Sequence, residues 1–152
     1  MSTFDPKSIL DLGTSDKFET EITLAPERDY TANIYEIDGR GGIKDGRPWR
    51  ALNIRWLVTD ADDVKQGLGI ENLFLYQYIF LDLNEQGGLA SGTNKNVALG
   101  RIRTAVGQND EGEVWSIRDL IGAGPAILTY KHKVNSSTGK LSGEVVDVVA
   151  DR

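Results

Sequence analysis

Five runs in this 152-residue chain alternate apolar and polar side chains with a period of two, which commits its core to half-buried β-strands. In Arg28–Ile37 (RDYTANIYEI), Tyr30, Ala32 and Ile34 share one face, with Thr31, Asn33 and Tyr35 on the other. In Arg50–Thr59 (RALNIRWLVT), Leu52, Ile54, Trp56 and Val58 oppose Ala51, Asn53, Arg55 and Leu57. Asn72–Leu83 (NLFLYQYIFLDL) is the strongest run, and both of its faces are heavy enough to predict cover on each. Ala126–Val134 (AILTYKHKV) and Leu141–Val149 (LSGEVVDVV) flank the turn NSSTGK, a hairpin signal with Gly139 as its left-handed residue.

The segments between these runs set the order. DGRGGIKDGRP is rich in chain breakers and reads as a long β–β connection, and Asp60–Gly69 as an acidic loop. After NEQGGLASGT, with Thr93 and Asn94 as helix caps, Lys95–Val106 fits a helix. Its expected inner face is Ala98, Ile102, Ala105 and Val106, and Gly107 is its stop. Ser116 caps a short helical turn within Val114–Ile121, and Gly122–Pro125 breaks it. Residues 1–24 read as a weakly ordered N-terminal arm with an edge strand near Phe18–Leu24, leaving 25–152 as the folded domain.

Three strands, a helix and two strands is the wiring of an OB-fold: a mainly β, five-stranded Greek-key barrel with one helix between strands three and four. A β-sandwich with a lid helix and an SH3-like barrel with an insert are the alternatives.

A chain this long buries roughly two-thirds of the surface its unfolded form exposes, so its core needs neither disulfide nor metal. Without cysteine it has no thiolate site and no cysteine nucleophile, and His132 alone cannot make a multi-histidine metal centre. The start lacks the pattern of a secretory signal and no apolar run approaches 18 residues, so a cytosolic protein off the membrane is expected. No nucleophile elbow and no phosphate-binding loop motif is present, and GRGGIKDGR joins two strands rather than leading into a helix. His132, between two lysines on a strand, fits a surface or partner-contacting role better than a general base. No enzyme activity, cofactor or metal is expected; the carboxylates of Asp60, Asp62 and Asp63 leave a small magnesium-dependent enzyme as a remote third reading.

Net charge is −6, but it is unevenly spread. Residues 1–36 hold eight acids against three bases, whereas 39–58 carry Arg40, Lys44, Arg47, Arg50 and Arg55 against Asp45 alone. A polyanion responds to the patch within a Debye length, about 8 Å at physiological salt, rather than to the total. That basic stretch is interleaved with aromatics. Arg47, Trp49 and Arg50 lead into Asn53 and Arg55 on strand two, Tyr76 and Tyr78 stand on strand three, and Lys131 and Lys133 on strand four. Flat rings stack on unpaired bases while cations follow phosphates. The competing structural reading places Trp56, Phe74 and Phe80 in the core, and Tyr76 and Tyr78, on the parity of those phenylalanines, as barrel filling.

The succession DGRPWRALNIRWLVTD, FLYQYIFLDL, KNVALGRIRTAVG and WSIRDLIGAGPAILTYKHK resembles bacteriophage single-stranded DNA-binding proteins of the OB-fold type, over roughly residues 18–150. The resemblance rests on layout and general character. It implies single-stranded DNA as the partner, bound without sequence preference during DNA replication or recombination in the cytoplasm of the infected bacterium. Carried over, it points to Arg47, Trp49, Arg50, Asn53, Arg55, Tyr76, Tyr78, Lys131 and Lys133 as nucleic-acid-binding residues. Homo-oligomer formation and replication or recombination proteins are further partners to consider. Many such proteins end in an acidic tail, whereas here the acidity lies at the N-terminus, where an arm can serve self-association or compete with DNA. The alternative is a small-barrel protein-interaction or virion-assembly module that binds no nucleic acid.

Overall fold

The computed structural model describes residues 5–151, so residues 1–4 of the expected arm lie outside the described part. Its elements run β1 (Arg28–Lys44), β2 (Arg47–Val58), α1 (Asp62–Leu68), β3 (Phe74–Phe80), α2 (Val97–Ala105), β4 (Ala126–Val134) and β5 (Leu141–Ala150), with 3₁₀ turns at Pro6–Asp11 and Ile117–Leu120. The protein is mainly β. One antiparallel sheet has the strand order β3-β2-β1-β4-β5, and its edge strands β3 and β5 contact each other without a ladder joining them. The sheet therefore curls but does not close. No helix among the described residues is long and apolar enough to cross a membrane.

Alternation built the core as the sequence dictates. Tyr30, Ala32 and Ile34 of β1, Leu52, Ile54, Trp56 and Val58 of β2, and Ala126, Leu128 and Tyr130 of β4 are buried together. In β3 the inward set is Leu75, Gln77 and Ile79. Gln77 is the buried polar residue among them, and its Oε1 accepts a 3.0 Å hydrogen bond from the Trp56 indole N–H. The helix α2 adds Leu99, Ile102 and Ala105 and packs on β5.

The stretch expected as a long connection is strand instead. β1 and β2 pair from Ala32↔Val58 to Lys44↔Arg47 and turn on only two residues, Asp45 and Gly46. Both have positive φ, 53° and 75°, the type I′ geometry that matches the twist of a hairpin and fixes its register. Gly41 and Gly42 act here through their lack of a side chain. A Cβ at Gly41 would meet the Arg50 side chain at 2.9 Å, and one at Gly42 the Trp49 indole nitrogen at 2.9 Å. One residue in excess at Tyr35 lets Ile34 pair with Trp56 and Glu36 with Arg55.

Other expectations shift for identifiable reasons. Asp60–Gly69 is not all loop: Asp62 and Asp63 begin α1, where carboxylates favour a helix N-terminus, Val64 buries inward and left-handed Gly69 stops it. The longer helix starts at Val97 rather than Lys95, because the Asn96 side chain holds the preceding loop. Its Oδ1 accepts from the Asp82 N–H at 2.8 Å, and its Nδ2 donates to the carbonyls of Asp82 and Ala90. Leu99 then takes the inward place expected of Ala98, which is exposed. Phe18–Leu24 forms no strand, and among the arm's described residues the Pro6–Asp11 turn is the only regular element. The Ser116 cap, the Gly107 stop and left-handed Gly139 stand as expected.

Tyr130 lies directly over Gly143 of β5, so that a Cβ at that position would overlap the phenol hydroxyl. Gly143→Ala is expected to cost about 1–3 kcal/mol through overpacking, seen as a lower midpoint in urea denaturation with an unchanged slope.

Candidate nucleic-acid interface

Residues that pair across β1, β2 and β3 point their side chains to the same side of the sheet, so the register alone assembles an outer face. Asn53 pairs with Tyr78, Arg55 with Tyr76, Ala51 with Phe80 and Leu57 with Phe74. On the β1 side, Gly42 pairs with Trp49, Arg40 with Ala51, Asp38 with Asn53 and Glu36 with Arg55. Tyr76 and Tyr78 are each 49% exposed and Phe80 is 68% exposed. The parity that left two readings open is thereby resolved in geometry: Phe80 is not core, and Phe74 is only partly buried.

Rings cluster at the hairpin end of this face. Trp49 and Phe80 have centroids 6.2 Å apart, and Tyr78 meets Phe80 edge-on at 5.3 Å. With Lys44, Asp45, Arg47 and Pro48 they line an open groove of about 650 Å³. Bare Gly42 lets the indole lie across the backbone, a position any larger residue would contest. Successive side chains on one face of β3 stand about 7 Å apart, which gives a ladder of rings rather than a single platform.

The cations divide by how they are engaged. Arg55 stacks its guanidinium over Phe74 at 3.8 Å, lies 5.3 Å from the Tyr35 ring and reaches Glu36 at 3.4 Å. Its Nε is buried without a hydrogen-bond acceptor. Arg40 pairs with Asp38 at 2.9 Å. Lys44 and Arg47, flanking the turn, make no ion pair among the described residues, so positive charge is concentrated beside the ring cluster.

The structure brings Arg47, Trp49, Asn53, Arg55, Tyr76 and Tyr78 onto one face but not the other three expected residues. Arg50 has the opposite parity and turns back, donating to the Trp49 carbonyl at 2.8 Å. Lys131 and Lys133 lie on β4 beyond the Tyr130↔Arg28 pair. Fourteen residues of β1, on the order of 45 Å along a strand, separate that pair from Gly42. Lys133 is moreover paired with Glu144 at 3.2 Å. Phe80 and Lys44 were missed. The two-residue Asp45-Gly46 signal would have extended the strands and placed Lys44 opposite Arg47.

The carboxylates of the α1 region have separate partners. Asp60 accepts from the Thr31 N–H at 3.0 Å, Asp62 faces Lys65 at 2.9 Å, and Asp63 takes a forked pair of hydrogen bonds from Arg28 at 3.0 and 3.2 Å. Those hydrogen bonds hold the Asp63 carboxyl below its ordinary range. The pair is exposed and adds little stability; what it adds is complete above the ordinary Asp pKa and is lost as pH falls through the lowered value. Among the described residues no group of three His, Asp or Glu side chains is placed to hold a metal ion. His132 is a structural tie: its Nε2 donates to the Ala25 carbonyl at 2.7 Å and its backbone N–H to Glu27.

No protein-family model matches this chain, and no curated protein matches it, which leaves the chemistry of this face to speak for its use.

Proposed function

We propose that the protein is a non-catalytic, sequence-independent binder of single-stranded DNA that coats exposed strands during phage replication or recombination in the bacterial cytoplasm. The observation that carries this reading is the outward row of half-buried Trp49 and exposed Phe80, Tyr78 and Tyr76, with Lys44 and Arg47 outside any ion pair among the described residues at its end and Asp45 as the one acid among them. Rings without hydrogen-bonding codes suit any base, and cations beside them suit the backbone every strand shares. An OB-type barrel is proposed with it. The order β3-β2-β1-β4-β5, the approach of β3 to β5 and a helix between β3 and β4 support that fold.

Titration with an oligo-dT while following tryptophan fluorescence tests the reading. Trp49 is only partly buried at the groove, whereas Trp56 is fully buried and Trp115 stands beside α2 against Arg103 and Gln108, so quenching is expected to vanish in Trp49→Phe. Affinity should fall steeply with salt as counterions are released from the phosphates. Absence of binding at low salt would remove the proposal and favour a protein-interaction module; magnesium-dependent loss of the oligonucleotide would favour an enzyme. Arg47→Ala is expected to lower the slope of log K against log salt by about one. Arg55→Ala should change that slope less, since Glu36 already lies against it.

Gly42→Ala separates ring placement from folding. The added methyl pushes against the movable end of the indole, so the expected result is weaker oligo-dT binding with an unchanged denaturation midpoint. Equal binding would show that the placement of Trp49 is immaterial.

A further inference from the structure

We propose that the N-terminal arm of one copy of this chain docks into the groove between α2 and β5 of a second copy, linking copies head to tail. Among the described residues, positions 5–23 of the arm are all exposed and make no hydrogen bond or ion pair to the folded domain. Ile9, Leu10, Leu12, Phe18 and Ile22 are all more than half exposed, an apolar series that water disfavours. Over Asp5–Leu24 it carries five carboxylates against Lys7 and Lys17, none of them in an ion pair among the described residues.

Its complement lies elsewhere on the same molecule. The α2–β5 groove, about 830 Å³, has Gly100 and Val149 along it and Leu89 and Trp115 at its sides. Nothing lies within 4 Å of where a Gly100 Cβ would sit, so this stretch of helix is open. Lys95 and Arg101 on its rim are exposed and make no ion pair among the described residues. Trp115 is already held, with Arg103 stacked on its ring at 4.0 Å and Gln108 accepting from its indole N–H at 2.9 Å. Glu113 is the one acid lining the groove, against Lys95, Arg101 and Arg103, and this net cationic rim beside apolar side chains suits an acidic, aliphatic segment in both charge and hydrophobicity.

No arm residue lines this groove in its own chain, and the arm's root is fixed on β4 and β1. His132 donates to the Ala25 carbonyl at 2.7 Å, and the Tyr30 hydroxyl to the Pro26 carbonyl at 2.7 Å. Arm and groove are different surfaces, so their pairing is heterologous and propagates from copy to copy. Docking of arm into groove needs no nucleic acid.

Sedimentation velocity of the full chain over a range of concentration and salt tests it. The expected result is a mass above the 16.7 kDa monomer that rises with concentration and falls with salt. A triple arm variant (Leu10→Ser, Leu12→Ser, Phe18→Ser) and a groove variant (Lys95→Glu, Arg101→Glu) should each weaken association by about thirtyfold or more. All five positions are exposed, and both variants should keep the wild-type circular dichroism. Mixed one to one, they retain a single intact arm–groove pair and should form a dimer that grows no further. Wild type that stays monomeric throughout, as it would with the arm folded onto its own groove, would overturn the proposal. So would association that neither variant weakens, or a mixture that remains monomeric.

Discussion

Alanine at Trp49 and Tyr78 together is expected to lower affinity for oligo-dT by about 2–6 kcal/mol, taking about 1–3 kcal/mol for each base that loses its stacking partner. The two rings belong to different strands and both lean on Phe80, at 6.2 and 5.3 Å, so their losses need not add. A double-mutant cycle at fixed salt would measure that coupling, and fluorescence anisotropy of a labelled oligonucleotide supplies a readout that does not need Trp49. Because these rings stand on the outer side of the sheet, the double variant should stay within about 1 kcal/mol of wild-type stability. Binding undiminished in a folded double variant would mean that the strand runs elsewhere or that nothing binds here.

The second large effect lies inside the sheet. Trp56 is fully buried, and its indole N–H satisfies Gln77, itself inside the core. Trp56→Ala removes the largest of the fully buried side chains, an expected loss of about 3–5 kcal/mol, and leaves the Gln77 carbonyl oxygen without its donor at about 1–3 kcal/mol more. Set against a usual stability of about 5–15 kcal/mol for a folded domain, that removes much of the margin. Trp56→Phe keeps most of the volume and should show chiefly the smaller, polar cost. Urea denaturation of the two variants separates the contributions; similar midpoints for both would mean that the hydrogen bond, not the volume, dominates.

The legible and illegible parts of this chain differ in where their determinants sit. Alternation marks strands because burial of one face is a local pattern, and Leu52, Ile54, Trp56 and Val58 went inward as their spacing required. Which side of β3 faces out was not legible. Phe74, Tyr76, Tyr78 and Phe80 are as apolar as their neighbours, and only the ladder to Asn53 and Arg55 fixes their direction. The length of the β1–β2 hairpin is obscured by Gly39, Gly41 and Gly42, whose composition suggests a loop, although Gly41 and Gly42 admit the side chains of Arg50 and Trp49 across the strand. Nearness in sequence puts Arg50 with Arg47, whereas strand geometry sends odd and even positions to opposite sides. Lys131 and Lys133 fell away for a different reason: adjacency of strands says nothing about position along them.

The extra residue at Tyr35 works as a phase shifter. Before it, odd-numbered positions of β1 (Asp29, Thr31, Asn33) point away from the interior; after it, even-numbered ones do (Glu36, Asp38, Arg40, Lys44). Taken into the ladder as an ordinary residue, Tyr35 would pair with Arg55, leave the first half of β1 in place and rotate the second half by half a pleat. Ile37 would then be offered to water, and Arg40 and Lys44 would leave the side on which the rings stand. The charge pattern of the whole hairpin thus hangs on one residue, far from its tip, being left outside the ladder.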